Sequence, residues 1–342
     1  MREVPQYTFH KDPATKQLLA SKSAIGKLTK KESTSAVEQQ QQNHKTVQQQ
    51  REQEIKEQQP LYAQALVQSK FRREPDIPMK TSADTSDCFG TSLALLPGGR
   101  LLLIDRDNTS VKMVDTNSNK LVSQIKLSSW PWDLCLLPGD KAAVTLPMEG
   151  DIQFVSTKGE VTLQGIIKVG VQCRGIDFCD DNLIVSFIAQ GKVVLMDVNG
   201  TFRKSVDKDR NGTPLFHCPY FLTVTRDGRT PAIYVSDSDT SIITKLSISL
   251  EVLQTFKDPS LTEPYGLSIV GDNQLLVCWR ESNNIVLLDT STGKITQLLG
   301  KVEGIERPYS VANCKTQKRM FVTCSPKDRP ELENYVQVFN ME

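Results

Sequence analysis

A short sequence unit recurs six times along this chain with a period of about 44 residues, and no other feature narrows its fold so far. Leu93-Ala-Leu-Leu-Pro-Gly-Gly-Arg-Leu-Leu-Leu-Ile aligns with Leu134-Cys-Leu-Leu-Pro-Gly-Asp-Lys-Ala-Ala-Val-Thr, and the unit returns at Ile176, Leu222, Leu267 and Val311. Successive spacings are 41, 42, 46, 45 and 44 residues. The apolar runs are four to six residues long and end in Gly, Asn or Asp, which is the length and punctuation of strands rather than helices. Three of the units carry a second signature, Met113-Val-Asp115, Leu195-Met-Asp197 and Leu287-Leu-Asp289. Its Asp suits the start of a turn, because the carboxylate can accept from backbone N–H groups two residues on. Four strands per unit, six times over, predict an all-β six-bladed β-propeller. The sixth unit provides strands around 309–323 and at Tyr335–Phe339 but no fourth. A strand near 77–83 is expected to close the ring and remove its exposed edges.

The propeller is expected over 76–342, behind a short segment (1–30) and a Gln-rich arm (31–75). Ten of the 21 residues from Gln39 to Gln59 are Gln. Such a stretch buries too little apolar surface to offset its ordering entropy, which predicts disorder or a weak, solvated helix. Ile55, Leu61, Ala65 and Leu66 form a thin helical stripe, insufficient alone for a coiled coil. Pro75 and Pro78 mark the passage into the folded part.

Charge and cysteine usage exclude several classes. The 342 residues hold 41 basic and 40 acidic side chains. Residues 1–80 carry 14 basic and 9 acidic groups and the rest 27 and 31, so the repeat region is mildly acidic. Bulk charge therefore makes no case for DNA or for a membrane surface. No apolar run approaches the ~18 residues of a membrane helix. The first residues have no apolar signal core, and the eight cysteines are scattered without a Cys-x-x-Cys pair, which leads us to expect a reduced, cytoplasmic chain with no metal or cofactor.

The segment Leu102-Leu-Ile-Asp105-Arg-Asp-Asn108 followed by Val111-Lys-Met-Val-Asp115 resembles the NHL repeat. Opening motifs such as Pro264-Tyr-Gly-Leu, Pro308-Tyr-Ser-Val, Pro219-Tyr-Phe-Leu and Pro131-Trp-Asp-Leu are similar to that family's Pro-x-Gly start. The first unit matches throughout; the second and third lack the loop Asn. A shorter stretch, Phe9 through Leu28, is similar to the segment after the coiled coil of tripartite-motif (TRIM) proteins with C-terminal propellers. No cysteine occurs before Cys88, so the zinc ligands of a RING and B-boxes are not expected. The resemblance implies the substrate- or partner-recognition part of a ubiquitin-ligase-related protein, binding a ubiquitin-pathway substrate or adaptor. Some NHL propellers bind RNA, which gives a second reading.

A third reading is a metal-dependent lactonase or esterase, whose ligands would be carboxylates such as Asp105, Asp107, Asp237 and Asp239. Turn chemistry is the better explanation of those positions. His217 and Cys218 are sequence neighbours, and neighbours on a strand point to opposite faces, so they do not suggest a nucleophilic pair. No catalytic motif emerges, and the chain is expected not to be an enzyme. One face stands out instead. The inter-unit connections contribute Trp132, Arg174, Tyr220, Tyr265 and Tyr309, and the second-to-third strand loops contribute Arg106, Asp107, Met148, Asp239, Arg280 and Asn283. Of these, Arg106, Trp132, Arg174, Tyr220, Tyr265, Arg280 and Tyr309 are the expected partner-binding residues, since Arg and large aromatics make the strongest interface anchors.

Overall fold

Five repeats each form a four-stranded antiparallel sheet, the sixth supplies three strands of a sheet completed by Phe71–Pro78, and these six sheets make the blades of the propeller. The computed structural model describes residues 62–225, 231–271 and 273–342. Two units divide the chain, 1–58 and 59–342. The expectations for the 1–30 segment and most of the Gln-rich arm lie outside the described residues.

Blade I shows how sequence becomes blade. Its strands are Gly90–Leu96, Arg100–Asp105, Ser110–Asp115 and Lys120–Lys126, in that order across the sheet. The middle strands are buried on both faces, as in Leu101–Ile104, because neighbouring blades cover both sides of each sheet. That double burial explains continuous apolar runs where an exposed sheet would show alternation. Outer strands face water, and Thr162–Lys168 at the rim of blade II is exposed almost throughout. The repeated Asp turns form as expected. Asp115 Oδ1 accepts from Asn117 N at 2.8 Å, Asp197 Oδ1 from Asn199 N at 2.9 Å, and Asp289 Oδ1 from Ser291 N at 2.9 Å.

Side chains on the innermost strands stitch blades together around the central tunnel. Asp133 Oδ2 accepts from Ile176 N of the next blade at 3.0 Å, and Asp177 Oδ2 from Val224 N at 2.8 Å. Ser310 Oγ accepts from Leu93 N at 3.2 Å across the ring closure.

The closing strand differs from expectation. It is Phe71–Pro78, beginning six residues before the 77–83 segment, and it pairs antiparallel with Tyr335–Met341 in the register Phe71 to Met341 and Ile77 to Val336. Pro75 and Pro78 thus lie within the closing strand instead of a linker. Pairing on one side only tolerates both prolines, since an edge strand can spare N–H donors. Ahead of it, residues 62–68 form a short helix. Ala63 and Leu66 of that helix are buried in the cluster that holds Leu287, Leu299 and Phe339, and Tyr62 Oη donates to Asn313 Oδ1 at 2.9 Å. The end of the expected Gln-rich arm, 62–75, is therefore part of the propeller's packing. Among the described residues, no helix is long and apolar enough to cross a membrane.

Candidate functional site

The topology puts the blade openings and the loops between second and third strands at one end of the tunnel, and there the seven residues singled out in the sequence converge. Their arrangement is not a ring of exposed anchors. Trp132 keeps only 5 % of its surface, and Tyr265 and Tyr309 are as deeply buried. The rings pack on each other: Trp132 lies 5.4 Å from Tyr220, Tyr220 stacks on Tyr265 at 5.2 Å, and Tyr265 meets Tyr309 edge-on at 4.8 Å. Phe89 and Phe221 extend the same cluster. Trp132, Tyr265 and Tyr309, expected as anchors, are instead a floor plugging this end of the tunnel. Large planar groups at equivalent positions of a closed ring can cover their apolar area only against each other.

The arginines lie over that floor. Arg174 Cζ sits 4.0 Å from the centroid of Trp132, Arg106 Cζ 4.3 Å from Phe89, and Arg280 Cζ 5.2 Å from Tyr265. Their partners differ. Arg280 is committed to carboxylates, with Nη1 at 2.6 Å from Glu263 Oε2 and 3.3 Å from Glu281 Oε1. Although burial pulls it down, the ionisable Tyr309 and Tyr265 and the bond to Glu263 hold it above the ordinary arginine value. Arg106 Nε bonds Asp107 Oδ1 at 2.7 Å. Arg174 pairs with no carboxylate among the described residues, and its Nε, like Trp132 Nε1, is buried without a hydrogen-bond acceptor. Burial pulls its pKa below the usual value; Tyr220 opposes that and Arg106 adds to it.

Beside Arg174 the surface opens into a cavity of about 100 Å³ lined by Arg106, Trp130, Trp132, Met148 and Arg174, with Pro131 and Pro147. Trp130 is 53 % exposed and Met148 58 %, and Val171 nearby is 54 % exposed. Val171 is tied to the same place, since Gln172 N donates to Pro147 O at 2.7 Å. Trp130 and Val171 were not picked out in the sequence. The Trp130-Pro-Trp132 spacing held the signal, because two tryptophans around one proline at a blade opening cannot both fit under the floor.

The carboxylates considered as metal ligands do not gather. Asp105 Oδ1 accepts from Phe89 N at 3.0 Å, and Asp237 Oδ2 from His217 N at 2.6 Å, each tying its own blade's opening to the end of its second strand. Asp107 holds Arg106, and Asp239 is exposed. Among the described residues, one cluster has metal-ligand closeness: Asp84, Cys88 and Asp105. Its centre is taken by Lys112, whose Nζ lies 2.7 Å from both Asp84 Oδ2 and Asp105 Oδ2, 2.9 Å from Met79 O and 3.3 Å from Cys88 Sγ. The ammonium supplies the charge a cation would bring, so these groups do not fit a metal.

His217 is exposed, and its neighbour Cys218 is poorly suited to attack. Burial and the adjacent Asp239 and Asp237 push the Cys218 thiol up to about 12, whereas a nucleophile must be thiolate. In the tunnel, a cavity of about 270 Å³ is lined by Ser92, Asp133, Asp177, Thr223, Ser268 and Ser310 among others. Both its carboxylates are occupied by the inter-blade bonds given above.

No family model and no curated protein matches this chain. Solved structures resemble it in fold. A structural-genomics protein of unknown function from Bacteroides thetaiotaomicron aligns with a TM-score of 0.60 at 11 % identity, over 80 % of this chain and 77 % of that one. A streptogramin B lyase aligns at 0.58 and 13 % identity, over 81 % and 99 %. A chain of a nidogen–laminin complex aligns at 0.53 and 15 % identity, over 65 % and 83 %. At such identities the likeness is one of fold, and a shared fold does not carry a shared function.

Proposed function

We propose that this propeller is a protein-interaction module without catalysis of its own, the substrate- or partner-recognition part of a TRIM/NHL-like, ubiquitin-pathway protein acting in the cytoplasm. The observation that carries the reading is the combination at one end of the tunnel: exposed Trp130, Met148 and Val171 beside Arg174, an arginine with no carboxylate partner among the described residues. Large apolar surface next to an uncommitted guanidinium is the composition of an interface centre. The same groups hold no nucleophile, base or metal cluster that could carry a reaction. Support for non-catalysis comes from the commitments of the other candidates: Asp105 and Asp237 hold backbone, Lys112 fills the carboxylate cluster, and Cys218 stays protonated.

The test is affinity capture from cell extract with the full chain and with a Trp130→Ala/Met148→Ser variant, analysing co-purifying protein and RNA separately. Proteins retained by the native chain and lost from the variant, at unchanged melting temperature, are the expected result. Identical protein recovery by both chains, or recovery of RNA alone, defeats the reading.

A further inference from the structure

The geometry points to the cleft between blades I, II and III as a docking site for an acidic side chain of a partner peptide, with an adjacent apolar residue lying on Trp130, Met148 and Val171. This rests on the interaction-module reading and names the chemistry of the partner.

The charge distribution selects the ligand. Arg106 and Arg174 both border the cleft, and each lies over an aromatic ring, so their planes are set by packing before anything binds. Arg106 is already paired with Asp107 at 2.7 Å, which leaves Arg174 as the lining charge with no carboxylate partner among the described residues. A monoanionic carboxylate balances it. A dianionic phosphate would bring a second charge close to Asp107, where like charges repel. Space agrees: about 100 Å³ accepts the end of one Asp or Glu side chain. The guanidinium is suited to the task, since its planar fork bonds a carboxylate through two parallel N–H donors; with Nε buried, the two Nη groups are the pair offered to the ligand.

The apolar half of the ligand follows from what flanks the cleft. Trp130, Met148 and Val171 are each more than half exposed, and all three come from the loops bordering the cleft. Single-stranded RNA fits less well. It needs several free ring faces in series along a basic track, but Trp132, Phe221, Tyr265 and Tyr309 are buried on one another, and residues 81–342 carry a net negative charge.

Selection of a random peptide library displayed on phage against the full-length protein tests the site. Enriched peptides are expected to share an Asp or Glu next to an apolar residue. Synthetic copies should lose about 10-fold or more in affinity to Arg174→Gln and to Trp130→Ala, and their Glu→Gln forms should lose a similar factor. Trp130 is exposed, so its variant keeps the inference testable even where Arg174→Gln perturbs the floor. Enriched peptides without an acidic residue, or unaffected by both substitutions, overturn the inference. If such peptides are still lost to Arg280→Gln or other changes on this face, the interaction reading survives alone. Binders that map elsewhere, or none at all, sink both. A labelled oligouridine should not displace the peptides; displacement reassigns the cleft to nucleic acid.

Discussion

Lys112 sits on the third strand of blade I with its side chain wholly buried, and its ammonium is shared by Asp84, Asp105, the carbonyl of Met79 and the Cys88 sulfur. Burial on its own would lower its pKa, but the bonds from Asp105 and Asp84 hold it above the ordinary lysine value. Burial raises the Cys88 thiol to about 12, helped by Asp105, so the sulfur stays neutral beside the ammonium. Removing the lysine alone strands two carboxylates in the interior. Lys112→Met should therefore cost about 3–5 kcal/mol in chemical denaturation. Adding Asp105→Asn should restore part of that, because one buried charge is gone while an oxygen remains for Phe89 N. A single variant as stable as the native protein refutes the assignment. In sequence Lys112 looked like a charged residue inside a repeat motif. Its burial was illegible there because the partner Asp84 lies outside the repeat, in a connection that only ring closure brings near. Trp130 posed the converse problem: the reading favoured residues aligned at blade openings, and those aligned aromatics are the ones that seal the tunnel.

Strands were legible wherever blades cover both faces, since Leu101–Ile104 and Leu275–Cys278 can only be buried runs. The closing strand was not. Phe71–Pro78 reads Phe-Arg-Arg-Glu-Pro-Asp-Ile-Pro, with only Ile77 fully buried, because a rim strand packs against little besides its one hydrogen-bonded neighbour. Arg72 reaches Glu342 at 2.6 Å and Arg319 reaches Glu74 at 2.6 Å, so the pairing is marked by charge rather than by apolar pattern. A chain starting at residue 79 loses this strand and leaves the edge of Tyr335–Met341 open. It should be destabilised by at least about 2–5 kcal/mol, the cost of emptying one buried Ile site. It should also associate at higher concentration through the bare edge. A chain starting at 62 keeps both strand and helix and serves as the reference. Equal melting temperatures and a monomeric shorter chain, by thermal scan and light scattering, exclude closure by this strand.

Across the whole molecule, the tunnel joins the blades through polar side chains, and Asp133 touches three of them. Its carboxylate accepts from Ser92 Oγ at 2.6 Å in blade I, from Leu134 N in its own blade, and from Ile176 N in blade III. Burial nevertheless pushes it up to about 7, against the pull of those three donors. An unfolded Asp titrates near 3.9. Between roughly pH 4 and 7 the folded protein thus holds a proton that the unfolded chain has released, and this group's contribution to stability falls as pH rises through that window. Thermal melts from pH 4 to 8 should show that decline in the native protein and a flatter profile in Asp133→Asn, whatever stability the variant starts from. Parallel profiles would remove Asp133 from the account.

Ring closure also sets a clock during synthesis. Arg72 and Glu342, bonded in the finished molecule, are 270 residues apart. At about 5–20 residues per second, the closing strand leaves the ribosome roughly 15–55 s before its partner exists. Blades I to V each come from one continuous stretch and can assemble as they emerge. Blade VI cannot be completed until Tyr335–Met341 has emerged. For that interval the nascent chain holds Phe71–Pro78 unpaired and a growing, open arc behind it, the stage at which a chaperone or a neighbouring nascent copy has most to grip.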